Sequence, residues 1–341
     1  MNKVSVVILN WNGAEMLRRF LPSVLAGSAG EGIEVCVADN GSSDDSCRML
    51  EQEFPAVRLI RLDRNYGFAD GYNKAFEQVD AEYAVLLNSD VEVAPGWLTP
   101  MVEYMDLHPD VAACQPKLLD WKQKDRFEYA GAAGGFIDRY GYPFCRGRIF
   151  EVVEKDKGQY DTPISVFWAT GAALFIRLDK YREVGGLDGR FFAHMEEIDL
   201  CWRLRSRGYK LFCLPESKVW HVGGATLKKE NPRKTFLNFR NNLLMLYKNL
   251  PPEELRPVMK IRACLDYVAA CVFLLKGDWG NFRAVIQARK EYARLCPQFK
   301  ADRQEDLDNA VCFNVSGRFS FSILWQSKVR GHKKYSDLPV K

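Results

Sequence analysis

Two groups of acidic residues in this chain have the types and positions to act on a phosphorylated substrate. Asn88-Ser89-Asp90 follows the apolar residues 83–87, and Glu196-Glu197-Ile198-Asp199 follows the apolar pair Phe191-Phe192. A carboxylate at the end of a buried strand can hold Mg²⁺ or Mn²⁺, which favour oxygen ligands and often bind between carboxylates and substrate phosphates. A carboxylate at a helix start that is partly removed from water has a raised pKa and can accept a proton. Together the two groups predict displacement of a diphosphate leaving group.

The residues around the first acidic group have a chemical and a structural interpretation. Asp90 is either a metal ligand or the acceptor of an Asx turn. Asp39, at the end of another apolar run, either caps a helix or accepts a hydrogen bond from a nucleobase or ribose. Trp11, between Asn10 and Asn12, either fills the core or stacks on a base. The residue types leave each pair of interpretations open.

The second acidic group and the histidine that follows it also have two interpretations each. Glu196 and Glu197 either supply a general base or only favour the dipole of the helix they begin. Asp199 is a rival for the base, although its spacing to Arg203 is that of a surface i,i+4 ion pair. His221 is either a metal ligand or phosphate donor, or a structural histidine.

The elements that must position these residues alternate between strand-like and helix-like segments. Strand-like runs occur at residues 4–9, 34–38, 57–62 and 83–87, with helical spacing at 14–25, after Ser43 and at 69–79. This order predicts an α/β fold with a doubly wound, mostly parallel sheet and right-handed crossovers. Ligands bind beyond the carboxyl ends of such strands. Asn10-Trp11-Asn12, Asp39-Asn40 and Asn88-Ser89-Asp90 are therefore expected to line one crevice.

Composition restricts the class of protein. The chain has 341 residues, 47% hydrophobic and 27% charged, as in an ordinary globular protein with one large domain and an appendage. A net charge of +4 gives no support for nucleic-acid binding. The ten cysteines lack metal-ligand spacing, and only Met1-Asn2-Lys3 precede the first strand-like run. We therefore expect reduced thiols, no signal peptide and a cytoplasmic location.

Beyond about residue 231 the pattern changes to amphipathic helices. Residues 261–275 are apolar nearly all round, interrupted by Asp266, and basic residues follow on the next helix and near the C-terminus. No apolar run approaches the roughly 20 residues that a transmembrane helix needs. Three interpretations stay open: a helical cap on the preceding domain, peripheral attachment to an anionic membrane surface, and a homodimer interface.

Six motifs, in the order found here, resemble those of the family 2 glycosyltransferases with the GT-A fold. The resemblance runs from Val4 to about Thr226 and is strongest to the rhamnosyltransferase-like branch of bacterial polysaccharide biosynthesis. The motifs are Val4-Ser5-Val6-Val7-Ile8-Leu9-Asn10-Trp11-Asn12, Val37-Ala38-Asp39-Asn40-Gly41-Ser42, Asn65-Tyr66-Gly67-Phe68-Ala69, Leu86-Leu87-Asn88-Ser89-Asp90, Gly171-Ala172-Ala173-Leu174 and the run from Gly185 to His221.

The resemblance implies a role for each motif. Asp39 would contact the nucleobase with Trp11 stacked near it, Asp90 would hold Mn²⁺ or Mg²⁺ against the diphosphate, and His221 would assist there. Glu197 would be the catalytic base. The implied donor-binding set is Asn10, Trp11, Asn12, Asp39, Asn65, Gly67, Asn88 and Ser89; the metal set is Asp90 and His221; the catalytic set is Glu197 and Glu196; and the acceptor region contains Gly171 and Asp188.

The chain departs from the family pattern in two places. Asn88-Ser89-Asp90 offers one carboxylate where the family motif is of the D-x-D type. Glu197 stands where the family usually has the Asp of a Glu-Asp pair, so the predicted base is one methylene longer. Asp199 therefore stays a rival for the role of the base.

The resemblance implies an inverting, metal-dependent enzyme of the hexosyltransferase class. It would move a sugar from a dTDP- or UDP-linked donor, with dTDP-rhamnose as one candidate, to a saccharide or lipid-linked saccharide of the bacterial cell envelope. One alternative is a nucleotidyltransferase, although Asn10-Trp11-Asn12-Gly13 is not the Gly-rich, basic loop that cradles a triphosphate. Another is a non-catalytic protein that binds a nucleotide sugar or glycan. The absence of G-x-G-x-x-G excludes a dehydrogenase.

The resemblance also divides the chain. It implies a GT-A catalytic domain at residues 1–230, with a nucleotide-sugar half at about 1–114 and an acceptor half at about 115–230. Residues 231–341 would form a C-terminal helical extension. The acceptor depends on the irregular residues 115–165 and on the loops near Gly171 and Asp188, whose types do not specify it.

Overall fold

The computed structural model describes residues 1–223 and 231–340. Gly224 and Thr226, at the end of the stretch that resembles the family, lie outside the described residues. The strands are β1 (Asn2–Asn10), β2 (Ile33–Asn40), β3 (Arg58–Leu62), β4 (Ala81–Asn88), β5 (Val91–Val93), β6 (Val111–Asp120), β7 (Gly135–Asp138), β8 (Pro143–Cys145), β9 (Arg148–Ile149), β10 (Val152–Val153), β11 (Ile164–Ser165), β12 (Ala173–Arg177), β13 (Lys210–His221) and β14 (Arg318–Phe319). The helices are α1 (Ala14–Gly27), α2 (Ser46–Glu53), α3 (Gly67–Glu77), α4 (Thr99–Leu107), α5 (Leu178–Glu183), α6 (Glu196–Ser206), α7 (Pro232–Asn249), α8 (Pro252–Leu275), α9 (Trp279–Leu295) and α10 (Lys300–Asp308).

A central sheet has the strand order β11-β13-β6-β12-β4-β1-β2-β3, with β5 paired to β13. β1 runs parallel to both β2 and β4, and β2 runs parallel to β3. β12 is inserted antiparallel between β4 and β6, and β13 returns parallel to β6. The predicted α/β fold with a central sheet is confirmed, and the predicted parallel order holds for β1 to β4.

The two faces of this sheet explain why its strands are apolar without alternation. One face packs against α1, α2 and α4 through a cluster that includes Leu17, Met49 and Met101. The other face packs against α3 and α6 through a cluster that includes Tyr72 and Leu200. Strands buried on both faces carry continuous hydrophobic runs. The helices cover both sides of the sheet, as a doubly wound fold requires.

A second, smaller sheet forms within the segment whose pattern is irregular. Its order is β10-β9-β8-β7-β14. Strand β14, near the C-terminus, therefore pairs with β7, which lies much earlier in the chain. The amide of Ile323 donates to Asp138 Oδ2 at 2.9 Å. This bond also holds the segment after β14 against β7. The C-terminal segment therefore closes over the predicted acceptor half.

The predicted C-terminal helices are present as α7 to α10. Asn231 caps α7 by accepting a hydrogen bond from the amide of Arg233, and Asp278 caps α9 by accepting one from the amide of Asn281. Inside this layer Asp266 is buried and pairs with both Arg262 and Arg289. Within residues 1–223 and 231–340, no helix is long and apolar enough to cross a membrane.

Candidate active site

The loops that follow β1 and β2 are joined by side-chain hydrogen bonds. Asn10 Nδ2 donates to Asp39 Oδ1 at 3.1 Å, and the amide of Ser42 donates to Asp39 Oδ2 at 3.0 Å. The amide of Asn12 donates to Ser42 Oγ at 2.8 Å, and Asn12 Oδ1 accepts from the amide of Ser43 at 2.8 Å. Asp39 is buried, so these bonds hold its carboxylate in one orientation.

Asn40 connects this pair of loops to the loop after β3. Its Nδ2 donates to the carbonyl of Gly67 at 2.9 Å, and its Oδ1 accepts from the amide of Tyr66 at 2.9 Å. Asn65 Oδ1 accepts from the amide of Gly67 at 2.8 Å. Gly41 has φ +70°, and a Cβ there would lie 2.5 Å from the backbone of the β3 loop. Only glycine permits this approach.

Trp11 projects from the connected loops and is 52% exposed, so it is not a core residue. Asn10 Oδ1 beside it is buried and has no hydrogen-bond partner. An exposed indole and an unpaired amide oxygen next to a fixed carboxylate form a surface suited to a flat, polar ring. The structure thus brings together Asn10, Trp11, Asn12 and Asp39, with Asn65 and Gly67 on the adjoining loop.

At the end of β4, three polar side chains meet His221 from β13. His221 Nε2 lies 3.1 Å from Asp90 Oδ1 and 3.3 Å from Asn88 Nδ2. His221 Nδ1 lies 3.3 Å from Glu128 Oε1, without the alignment of a hydrogen bond. Asp90, Glu128 and His221 are all buried. Ser89 lies beside this group, because a Cβ on Gly13 of the β1 loop would come within 3.9 Å of Ser89 Oγ.

The charges of this group stabilise one another. Burial lowers the pKa of His221, but Glu128 and Asp90 outweigh burial and raise that pKa to about 10. Burial opposes ionisation of Asp90, while the hydrogen bond from His221 holds the pKa of Asp90 below its usual value. His221 is therefore an imidazolium between two carboxylates at neutral pH.

The group around His221 has few side chains that could bind a metal ion. Among residues 1–223 and 231–340, no set of three or more His, Cys, Asp and Glu side chains is arranged to hold a metal ion. Asp90 and His221 offer one carboxylate and one imidazole, and a metal on the imidazole would have to displace its proton. Two protein ligands fit Mn²⁺ or Mg²⁺ only where substrate phosphates complete the coordination. The donor set fits a cation of that kind.

Gly171 and Ala172 connect Glu197, at the start of α6, to the end of β4. The amide of Asn88 donates to the carbonyl of Ala172 at 3.0 Å. A Cβ on the neighbouring Gly171 would lie 3.1 Å from the ring of Phe68 and 3.6 Å from Glu197 Cβ. The predicted base, Phe68 and the end of β4 are therefore neighbours.

The turn before α6 has an unusual backbone. Phe192, His194 and Met195 have φ of 65°, 70° and 74°, the left-handed region that non-glycine residues rarely adopt. Each such residue costs on the order of 1–3 kcal/mol. The carbonyl of Phe192 accepts from the amide of Phe68 at 3.0 Å, and a Cβ on Gly67 would lie 2.6 Å from the Phe192 ring. The strained turn thus packs directly on the β3 loop.

Burial perturbs both glutamates at the start of α6. It raises the pKa of Glu197 to about 6, although backbone amides of the helix start favour the charged form. Burial and the adjacent Glu197 raise the pKa of Glu196 well above its usual value. Neither Glu196 Oε2 nor Glu197 Oε2 has a hydrogen-bond partner. Glu197 therefore has the ionisation of a general base at neutral pH.

Asp199 and Asp188 belong to a buried ion-pair cluster. Asp199 Oδ2 lies 2.9 Å from both Arg203 Nε and Lys248 Nζ, and Asp199 Oδ1 accepts from Asn249 Nδ2 at 2.8 Å. Lys248 Nζ also lies 2.9 Å from Asp188. The interpretation of Asp199 and Arg203 as a surface pair is wrong, because both side chains are buried. We assign Asp199 and Asp188 to structure, since cationic partners from α6 and α7 occupy their oxygens.

Two residues of this region have roles that the sequence did not predict: Glu128, which nothing singled out, and Asn40, which was expected only to line the crevice. Glu128 lies in the irregular segment, where neither spacing nor a motif marks it, and only the fold brings it to His221. Asn40 had a usable signal, since it is a polar residue at the carboxyl end of a parallel strand. Its role is to join two loops rather than to face a ligand.

Comparison with known proteins shows which sequences this chain resembles. Residues 5–167 match the family model described as Glycosyl transferase family 2. The N-acetylglucosaminyl-diphospho-decaprenol L-rhamnosyltransferase of Mycobacterium tuberculosis is 27% identical over 234 residues, which cover 63% of this chain and 75% of that protein. The O-antigen biosynthesis protein RfbC of Myxococcus xanthus is 26% identical over 238 residues, covering 67% of this chain and 18% of that protein.

A solved structure shares the fold. The crystal structure of GalNAc-T7 with UDP, GalNAc and Mn²⁺ superposes with a TM-score of 0.60 at 16% sequence identity. The match covers 96% of this chain, which spans 56% of the length of that protein. The predicted GT-A fold is confirmed, and the match over residues 5–167 and the two relatives agree with the predicted family and its rhamnosyltransferase-like branch.

Removing the charge of Asp199 is expected to destabilise the protein. Asp199→Asn leaves Arg203 and Lys248 buried with less countercharge, which costs about 3–5 kcal/mol in the free energy of unfolding. Urea denaturation followed by circular dichroism measures the loss. The control is Asp302→Asn, which breaks the exposed pair with Arg190 and should cost under about 1 kcal/mol. Equal effects of the two variants would contradict the assigned structural role.

Replacing Glu196 by glutamine is expected to stabilise the protein in a pH-dependent way. Because folding raises the pKa of Glu196 above 4.5, wild-type stability falls as pH increases from 4.5 toward the folded-state pKa. The Glu196→Gln variant escapes this loss, which has a slope of at most about 1.4 kcal/mol per pH unit. Urea denaturation at a series of pH values from about 4 to about 8 measures it. A Glu196→Gln advantage that did not grow with pH would contradict this account.

Proposed function

We propose that this chain, whose residues 5–167 match Glycosyl transferase family 2 and which has the GT-A fold, is a glycosyltransferase that inverts the anomeric centre of a nucleoside-diphosphate sugar. The acceptor we propose is a saccharide or lipid-linked saccharide of the bacterial cell envelope. One observation carries the mechanism: the half-buried carboxylate of Glu197, with a pKa of about 6, adjoins the strand end that holds Asp90.

We propose that the donor carries UDP or dTDP, with dTDP-rhamnose as a candidate. Trp11 would stack on the pyrimidine, and the unpaired Oδ1 of Asn10 would accept a hydrogen bond from it. Asp39, already held by Asn10 and Ser42, would accept another from the base or ribose. The mycobacterial relative is named as a rhamnosyltransferase, which supports the choice of sugar.

Asp90 and His221 are the residues we propose to hold Mn²⁺ or Mg²⁺, with Asn88 and Ser89 beside the diphosphate. When bound, the cation supplies positive charge that stabilises the departing nucleoside diphosphate. The related GalNAc-T7 structure is named with UDP and Mn²⁺, which supports a divalent ion here. Glu128 would keep His221 oriented from its other ring nitrogen.

Glu197 is the proposed base, with Asp199 and Glu196 set aside. The acceptor hydroxyl would give its proton to Glu197 as its oxygen bonds to the anomeric carbon. The anomeric C–O bond to the phosphate breaks on the opposite face, and its electron pair leaves with the nucleoside diphosphate. Glu196 is more strongly disfavoured as a carboxylate, and Asp199 is occupied by cations. Gly171 adjoins Glu197, so we place the acceptor's reacting hydroxyl near it.

We propose that residues 1–114 supply the donor site and 115–230 the acceptor site, with 231–341 as an extension. Helix α8 of that extension presents an apolar surface, the α8 face, that includes Ile261, Val268, Val272 and Leu275. Their exposed fractions run from 39% to 86%.

The charges around the α8 face indicate what kind of surface it would bind. Lys260 and Lys276 are exposed at its two ends, while Asp266 in the middle of the helix is buried against Arg262 and Arg289. An apolar stripe with exposed cations and interfacial aromatics suits an anionic lipid surface. We therefore propose that the α8 face attaches the enzyme peripherally to the cytoplasmic membrane, where a lipid-linked acceptor would reside.

Replacing Glu197 by glutamine tests the proposed reaction. With a UDP- or dTDP-sugar and Mn²⁺, Glu197→Gln should lower kcat by about 10²–10⁴-fold and leave nucleoside diphosphate affinity unchanged. In wild type, kcat/KM should fall tenfold per pH unit below about 6, as Glu197 becomes protonated. Steady-state kinetics and calorimetric titration measure both. Glu183→Gln, an exposed glutamate paired with Lys180, is the control. Normal transfer by Glu197→Gln would remove it from the role.

Vesicle sedimentation tests the proposed membrane contact. Wild type should sediment with vesicles of phosphatidylglycerol and phosphatidylcholine, and added salt or pure phosphatidylcholine should release it. Val268→Glu should abolish sedimentation, while Val311→Glu, an exposed valine outside α8, should not. Failure of wild type to sediment at low salt would refute the proposal. A dimer that Val268→Glu dissociates would assign the α8 face to self-association instead.

A further inference from the structure

The strained turn before α6 depends on one side chain of a different helix. We propose that Asn241 of α7 is a positioning residue, which acts through the turn of residues 191–195 to orient Glu197. The inference rests on the proposed function for the role of Glu197, but its structural part stands on contacts alone. Asn241 itself is remote from any donor or acceptor atom in this scheme, because it is fully buried behind the turn.

Three backbone carbonyls of the turn converge on the amide nitrogen of Asn241. Nδ2 lies 2.9 Å from the carbonyl of Phe191, 2.8 Å from that of Ala193 and 2.8 Å from that of His194. The carbonyl of Phe191 also accepts from the amide of Ala193 at 2.8 Å, so Asn241 matters most for the carbonyls of Ala193 and His194. Leaving a backbone carbonyl unpaired in the interior is costly. The Asn241 amide therefore supplies the bonds that keep this backbone in its left-handed form.

The orientation of the Asn241 amide is itself determined. Arg240 Nε donates to Asn241 Oδ1 at 2.8 Å, so the oxygen end faces a cation and the NH₂ end faces the turn. Arg240 also donates from Nη2 to the carbonyl of Phe191 at 3.1 Å. The next residue, Asn242, donates to the carbonyl of Gly141 at 2.6 Å. Consecutive side chains of α7 thus bind both the turn and the small sheet: Arg240 and Asn241 contact the turn, and Asn242 contacts the small sheet.

Two backbone hydrogen bonds connect the turn to parts of the proposed site. Its carbonyl at Phe192 accepts from the amide of Phe68 in the predicted donor loop at 3.0 Å. Its last residue, Met195, accepts the helical hydrogen bond from the amide of Asp199 at 2.9 Å and directly precedes Glu196 and Glu197. If the turn relaxed, the axis and start of α6 would shift relative to the donor loop. A base displaced by about 1 Å can lose about 100-fold in rate.

The chain offers a matched control on the same helix. Asn238 is also an asparagine of α7, but its Nδ2 donates to the carbonyl of Lys234 within the helix at 2.9 Å. Asn241→Ala and Asn238→Ala therefore remove the same group, and only the first removes it from the turn.

The first measurement needs no activity. Amide hydrogen exchange should accelerate in residues 191–197 and at Phe68 in Asn241→Ala, and stay at the wild-type rate there in Asn238→Ala. If the Ala variant does not fold, Asn241→Ser, whose shorter side chain reaches fewer carbonyls, gives the same comparison. Unchanged exchange in the turn of the Asn241 variant would overturn the proposal, whatever the enzyme's activity.

The second measurement concerns the reaction. At a temperature well below unfolding, Asn241→Ala should lower kcat about 100-fold, more than it raises the donor KM, while Asn238→Ala keeps both. Adding Met195→Gly, which makes a positive φ easy to adopt, should restore part of kcat. A normal kcat in Asn241→Ala would refute positioning. Altered exchange in an enzyme whose wild type transfers no sugar would instead leave the turn's anchor established and the proposed function refuted.

Discussion

Parallel pairing of β1 with β2 and β4 is the constraint on which the site depends. Parallel strands end at the same edge of a sheet, so the polar residues after them meet without long connections. Asn10 then reaches Asp39 across the strand ends at 3.1 Å. The next loops join this edge through Asn40, and β13 brings His221 to Asp90. Without the shared edge, these side chains would only cap helices or stabilise turns at separate places in the protein.

Burial of charge distinguishes the two halves of the site. At the end of β4, opposite charges face one another, so Asp90 and His221 are both ionised in a buried place. At the start of α6, Glu196 is buried and Glu197 is half-buried, and each has a buried carboxylate oxygen with no hydrogen-bond partner. The first arrangement suits binding of a charged group, and the second suits uptake of a proton. The fold places the two environments beside each other through Gly171 and Ala172.

The helices after β13 support the site as well as covering the domain. Lys248 of α7 neutralises Asp199 inside α6, Asn249 donates a hydrogen bond to it, and Asn241 holds the turn that precedes the helix. The strand β14 returns to pair with β7 in the small sheet. The start of α6 is therefore held by parts of the chain that follow it. A helix with a strained start needs that support, because backbone strain persists only where neighbours determine it.

Local residue types determined much of this protein: the strand-like runs gave the parallel sheet, and polar residues at their ends, such as Asp39 and Asp90, marked the edge where the site lies. Periodicity and end positions are local properties, so they can be followed along the chain. Tertiary structure alone decided which acids are free and which are paired. Asp199 is held by Lys248, 49 residues away, and Glu128 reaches His221 from an irregular segment. The ionisation of Glu197 likewise depends on burial by distant segments, which no spacing along the chain encodes.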